Sequence, residues 1–184
     1  MITDQARSVV ERIFADAMRS HLPVDPSHRL ELSRVDAAAA ATASAAPHEL
    51  IVVTSASFAF RLLTVFHLRG GSVAQAYFGR GRTDGAPAEA FGEVANLCCG
   101  AINRELARYV PHLGMSTPYV LHSRCMDFLA DLSPQHVAGY DVAIEGDVRL
   151  GATLCLCGSA AIDFSPIAVI ASEEPASTGD LELF

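Results

Sequence analysis

Lysine and tryptophan are both absent from this 184-residue chain. Without a lysine amine there is no Schiff-base chemistry and no phosphate-cradling P-loop lysine. All 13 basic residues are arginines, set against 21 acidic residues for a formal net charge of −8, and no basic block occurs. That balance argues against a nucleic-acid partner or an anionic membrane surface. No apolar run reaches the ~18 residues of a membrane span, so no membrane insertion is expected. The start, Met1-Ile2-Thr3-Asp4-Gln5-Ala6-Arg7, has neither a basic n-region nor an apolar h-region, so no secretory signal is expected. The odd set of five cysteines (Cys98, Cys99, Cys125, Cys155 and Cys157) fits neither a disulfide framework nor a zinc site. Reduced, mostly buried thiols in a cytoplasmic protein are the expectation.

Other chemistries are missing as well. The seven histidines form no His-x3-His pair, so no metal site of the protein's own is expected. A Gly-x-Ser-x-Gly nucleophile elbow is absent. Gly79-x-Gly81-x-x-Asp84 lacks the last glycine of a dinucleotide fingerprint and follows a helical pattern instead of a strand, which makes it a loop. Cys155 and Cys157 would share one face of a strand, as small core residues more than as a redox pair.

What is present is a core-forming composition, 51% hydrophobic and 18% charged. At about 150 residues per domain the length fits one domain, and such a chain buries roughly 70% of its extended surface. Residues 3–20 place Val9, Val10, Ile13, Phe14 and Ala17 on one helical face, with Thr3 or Asp4 as the cap. Residues 28–35 alternate as a strand, and residues 50–57 and 58–68 read as two more, rich in Val, Phe, Leu and Thr. A short helix is expected over 70–79 and a long one over 88–109. Strands are expected at 118–121, 137–145 and 148–157, the last two joined by a tight turn at Gly146-Asp147. The Ala-rich insert at 37–47 leaves loop, edge strand and helix open. The tail, 159–184, carries Glu173, Glu174, Asp180 and Glu182 without a base and is expected to be loose. The chain therefore reads as an α+β domain over 1–158, with helices packed on a mostly antiparallel sheet of about six strands.

The long helix carries the chemistry. With Glu89 at 0°, steps of about 100° put Glu93 near 40°, Asn96 near −20°, Gly100 near 20° and Asn103 near −40°. Phe91, Val94, Ala95, Cys98, Ile102 and Leu106 fall on the opposite face. A solvated stripe ordinarily mixes Lys, Arg and Glu; this one holds two acids, two amides and a glycine. Glycine inside a helix costs about 1 kcal/mol relative to alanine, so a close backbone approach is one reason to keep Gly100. A plain solvated face and a flat docking face both fit these residues.

The pattern Glu89-x3-Glu93-x2-Asn96-x21-Pro118 resembles the active-site motif of the CheC/CheX/FliY chemotaxis phosphatases. The contexts Phe91-Gly92-Glu93-Val94-Ala95-Asn96 and Ser116-Thr117-Pro118-Tyr119-Val120 look like those of CheX, and a single motif copy favours the CheX-like branch. Glu89 stands where Asp or Ser is usual, and Pro118 comes one residue early. The resemblance covers the first helix to about residue 158 and implies a CheC-like fold. It also implies hydrolysis of the phospho-aspartate on a CheY-type response regulator. Asn96 would then accept a proton of the attacking water in a hydrogen bond and hold that water in line with phosphorus. An uncharged amide suits that place, since a carboxylate would repel the phosphoryl oxygens. Glu93 would pair with the receiver's active-site lysine. Glu89 would widen that acidic contact, and Gly100 and Asn103 would extend it along the helix. The resemblance implies no cofactor of the protein's own, a Mg2+ ion held by the receiver substrate, and a homodimer through an open sheet edge. Pro118 is expected to shape the start of its strand more than to touch substrate. The competing class is a non-catalytic adaptor of the same fold in a flagellar switch or sensory pathway. A small-ligand sensor has no identifiable pocket residues in the sequence.

Overall fold

Amphipathic periodicity at the start of the chain becomes helix α1, Asp4–His21, in a computed structural model that describes residues 1–37, 48–68, 72–79, 87–110, 112–158 and 160–164. The Thr3 hydroxyl caps it by accepting the Ala6 amide hydrogen at 3.1 Å, and Asp4 sits in the first turn, where the helix dipole favours an acid. Its buried stripe is Ala6, Val10, Ile13, Phe14, Ala17 and Met18.

Seven strands follow among the described residues: β1 (Leu30–Val35), β2 (Glu49–Ala56), β3 (Phe60–Leu68), β4 (Gly114–Met115), β5 (Tyr119–His122), β6 (His136–Ile144) and β7 (Val148–Gly158). They form one sheet in the order β1-β6-β7-β3-β2, with β4 and β5 in line along the outer side of β2. Every pairing between these strands is antiparallel. The β6–β7 hairpin turns through Glu145 and Gly146 at positive φ (52° and 80°), a conformation in which glycine is unstrained. The expected α+β class and element order hold, and the two-residue β4 is the strand the sequence pattern did not show.

Helices α2 (Ser72–Phe78) and α3 (Pro87–Leu106) complete the helical layer. α1 and α3 pack on each other and on the face presented by Ile51, Val53, Leu62, Phe66, Tyr140, Val142 and Leu154, all buried. The opposite face carries a smaller cluster of Leu50, Val52 and Val65, with Met126 packed against it. Met126 belongs to a 3-10 helix, Ser123–Leu132, where the sequence suggested a loop. None of its residues is fully buried, and Met126 is its contact with the sheet.

Two ties fix the helical layer. The Glu11 carboxylate on α1 meets His136 Nε2 at 2.8 Å and also bonds the Arg34 guanidinium, which lies 5.6 Å from the Tyr140 ring centre. Burial holds the His136 pKa below its ordinary value, outweighing Glu11, which pulls it upward. The chain after β7 also folds back: the Thr3 amide donates to the Ile162 carbonyl at 3.0 Å, and the Thr3 hydroxyl to Asp163 Oδ1 at 2.8 Å. Ile162 and Phe164 are buried, Phe164 against Phe60 and Tyr109, so packing continues beyond 158. Residues 38–47 of the Ala-rich insert, 80–86 of the glycine-rich stretch and 165–184 of the acidic tail lie outside the described residues.

Candidate functional site

The rotation of α3 about its axis decides which side chains face outward. Pro87 opens the helix, at the position where its missing N–H and fixed φ do no harm. Phe91 is 1% exposed and stands edge-on to Phe66 of β3 at 5.3 Å and to Phe78 of α2 at 4.7 Å. Ala95, Cys98, Ile102 and Leu106 continue the buried face. Cys99 is buried too and hydrogen-bonds Thr64 of β3; burial pushes its thiol up to about 12. With these groups fixed in the core, Glu89, Glu93 and Asn96 are exposed on three successive turns, as the wheel requires.

The second wall comes from β5. Ser116 holds the approach to it by a reciprocal pair with Thr54 of β2: its amide donates to the Thr54 carbonyl at 2.9 Å, and its hydroxyl accepts the Thr54 amide at 3.0 Å. At the far end the Ser123 amide donates to the His48 carbonyl at 2.9 Å. Between these latches Val120 pairs with Ile51 and Tyr119 with Val52. Pro118, immediately before β5, is thereby set against α3: a Cβ on Gly92 would lie 3.9 Å from Pro118 Cβ.

The helix and strand enclose an open groove of about 330 Å³ lined by Glu89, Glu93 and Asn96 together with Ala88, Gly92, Ile51, Pro118 and Val120. The structure thus brings three of the five predicted helix positions to one groove and adds the proline, whose one-residue shift does not remove it. Pro118 leads into its strand, as expected, and also forms part of the groove wall. Gly100 and Asn103 lie beyond the groove and are half-buried. Among the described residues no other element comes within 4 Å of a Cβ added at Gly100, which would meet only Arg104 Nη1 at 3.7 Å, so close approach there does not explain it. Asn103 Oδ1 is hidden from solvent with no hydrogen-bond partner among the described residues.

Sequence reasoning missed Ala88, Gly92, Ile51 and Val120 as site residues. Ala88 and Gly92 sit about 100° and 60° to one side of Glu89, a flank that carries no polar signal. Val120 enters only through its pairing across the sheet, which no local pattern announces. Among the described residues no group of three or more His, Cys, Asp or Glu side chains could hold a metal ion. All five cysteines are free, with Cys125 exposed and the others buried; Cys155 and Cys157 do share one strand face, Sγ to Sγ 3.6 Å. Among the described residues no helix is long and apolar enough to cross a membrane.

No protein-family model and no curated protein matches the sequence. Solved structures do match. CheX from Vibrio vulnificus superposes with a TM-score of 0.55 at 14% identity, over 80% of this chain and 98% of that one. FliY from Thermotoga maritima gives 0.53 at 13% identity, over 85% and 91%. A chain of the CheX–CheY–BeF3–Mg2+ complex from Borrelia burgdorferi gives 0.51 at 9% identity, over 82% and 97%. At such identities the likeness is one of fold, spanning nearly the whole of each neighbour. The α3 helix with its exposed Glu93 and Asn96 therefore stands on the fold of the CheC/CheX/FliY chemotaxis proteins.

Proposed function

We propose that this chain is a member of that phosphatase family and hydrolyses the phospho-aspartate of a CheY-type response regulator. One observation carries the proposal: Glu93, Asn96 and Pro118 line a single exposed groove on a fold shared with CheX. The Borrelia structure pairs CheX with CheY and a beryllium fluoride–magnesium group, and the partner suggested there is carried to this chain as part of the proposal.

In the proposed step the oxygen of a water attacks phosphorus, and the bond from phosphorus to the aspartyl oxygen breaks. The carboxylate leaves with the bonding electrons; the water's oxygen stays on phosphorus in inorganic phosphate, and its protons end on that phosphate or in solvent. A carboxylate is already a good leaving group, so positioning and charge neutralisation are the main requirements. The Asn96 carbonyl accepts one hydrogen bond from the water and aligns it. Glu93 pairs with the receiver's lysine and fixes the docking register, with Glu89 broadening the acidic surface. Gly100 and Asn103 extend contact along α3. The Mg2+ ion arrives with the receiver as part of the substrate, and the protein supplies no cofactor of its own. A cytoplasmic setting follows from this substrate. A homodimer through an open edge, β1 or β5, belongs to the same proposal.

The test separates the two roles. Receiver concentration is varied in a phosphate-release assay with Asn96→Ala and Glu93→Ala. Asn96→Ala should lower kcat by roughly 10²–10³ with receiver affinity retained, whereas Glu93→Ala should chiefly raise KM. Wild-type kcat in a folded Asn96→Ala protein would remove the water-positioning role, and unchanged affinity in Glu93→Ala would remove the docking role.

A further inference from the structure

Positioning one water needs an amide and a docked partner; it does not need the apolar groove that lies beside Asn96. Ala88, Gly92, Pro118 and Val120 line its uncharged part, with Ile51 buried at its base. The polar groups, Glu89, Glu93 and Asn96, belong to one edge, the ridge of α3. Val120 is 51% exposed, and an exposed apolar patch bordered by polar groups marks an interaction surface more often than a neutral one. The volume of about 330 Å³ lies at the small end of ligand sites, the size for one inserted side chain and not for a dinucleotide. Charge narrows the occupant further. Two exposed carboxylates along the rim favour a cation beside the inserted group and disfavour an anionic metabolite.

We infer that the groove seats an aliphatic or aromatic side chain of the receiver, presented next to the cation that Glu93 and Glu89 attract. This rests on the proposed phosphatase function and deepens it: the carboxylates draw in the partner, and the apolar fit selects among receivers. Charge attraction across a screened surface is sequence-tolerant, whereas a shaped apolar pocket discriminates by side-chain size.

Two variants test this by opposite means. Gly92→Leu fills the groove from the helix side while raising helix propensity, with Gly92→Ala as its control, because an alanine Cβ makes only ordinary contact with Pro118. Val120→Asp places a charge on the groove wall from an edge strand that is already exposed. The probe is a panel of receivers loaded with beryllium fluoride and Mg2+, titrated by calorimetry, with phosphate release measured in parallel. Gly92→Leu and Val120→Asp, shown folded by thermal melts, should each weaken binding at least tenfold, and Gly92→Ala by less than threefold. Asn96→Ala should bind as wild type does. Unchanged affinity in both groove variants, with wild-type phosphate release intact, overturns the inference and leaves the phosphatase standing. Variants that change self-association but not receiver affinity overturn it in favour of a contact between copies. A wild-type protein that binds no receiver overturns the phosphatase proposal and this inference with it.

Discussion

Phe91→Ala tests whether the core sets the rotation of α3. Phe91 is 1% exposed and is gripped edge-on by Phe66 at 5.3 Å and Phe78 at 4.7 Å. Truncating a buried Phe to Ala ordinarily costs about 3–5 kcal/mol through lost transfer energy and the residual cavity. Each favourable ring pair adds about 0.5–1.5 kcal/mol beyond burial, which places this site in the upper half of that range. For a chain of this size each kcal/mol lowers Tm by roughly 2–4 °C, so a drop on the order of 10 °C is expected. Circular-dichroism melts and urea titrations of wild type and variant measure it. Phe91→Leu, keeping most of the volume, should recover more than half of the loss. A loss below about 1 kcal/mol in Phe91→Ala would mean that α3 is not fixed through this side chain, and the outward direction argued for Glu93 and Asn96 would lose its physical basis.

Other expected outcomes follow from single side chains. Gly100→Ala should raise stability by about 0.5–1 kcal/mol, because the added Cβ meets only the flexible end of Arg104; a destabilised variant in urea titrations contradicts the contact geometry. His136 has a pKa depressed by burial, so the unfolded chain binds its proton at a higher pH than the folded one does. Its contribution is therefore complete above the ordinary value of 6.5 and is lost as pH falls from there toward the folded value. His136→Gln, still within reach of Glu11 and flanked by Arg7 and Arg34, should flatten the fall in stability over that acid range; an unchanged slope contradicts the burial argument. Thiol titration of the native protein should show one fast-reacting group, the exposed Cys125, and five in denaturant. Rapid reaction of Cys99 or Cys155, each pushed up to about 12 by burial, would show that those core positions open.

Much of the architecture was legible because local patterns and the fold agree. The 3.6-residue spacing of Val10, Ile13, Phe14 and Ala17 gave α1, and the same arithmetic separated Phe91 and Ala95 from Glu93 and Asn96 on α3. Strands β2, β3, β6 and β7 were visible as Val- and Leu-rich segments. The 3-10 helix at Ser123–Leu132 has an amphipathic spacing that the loop reading passed over, and β4 was hidden because a two-residue strand has no period. The same limit applies at the site. Motif spacing located Glu93, Asn96 and Pro118, yet the groove depends on Val120 pairing with Ile51 and on Pro118 meeting Gly92, contacts between positions far apart in sequence. Half-burial of Asn103 likewise depends on what packs beside the helix, which a helical wheel does not contain.

In the proposed reaction Asn96, exposed on α3 beside Pro118, positions the water that hydrolyses a receiver's phospho-aspartate. The most direct measurement is the single-turnover decay of purified, phosphorylated CheY-type receivers alone, with the wild-type protein and with Asn96→Ala. Faster decay of at least one receiver is expected with wild type, and decay near the spontaneous rate with a folded, receiver-binding Asn96→Ala protein. Unaccelerated decay of every receiver that the wild-type protein binds would contradict the proposed reaction and identify the chain as an adaptor on the same fold.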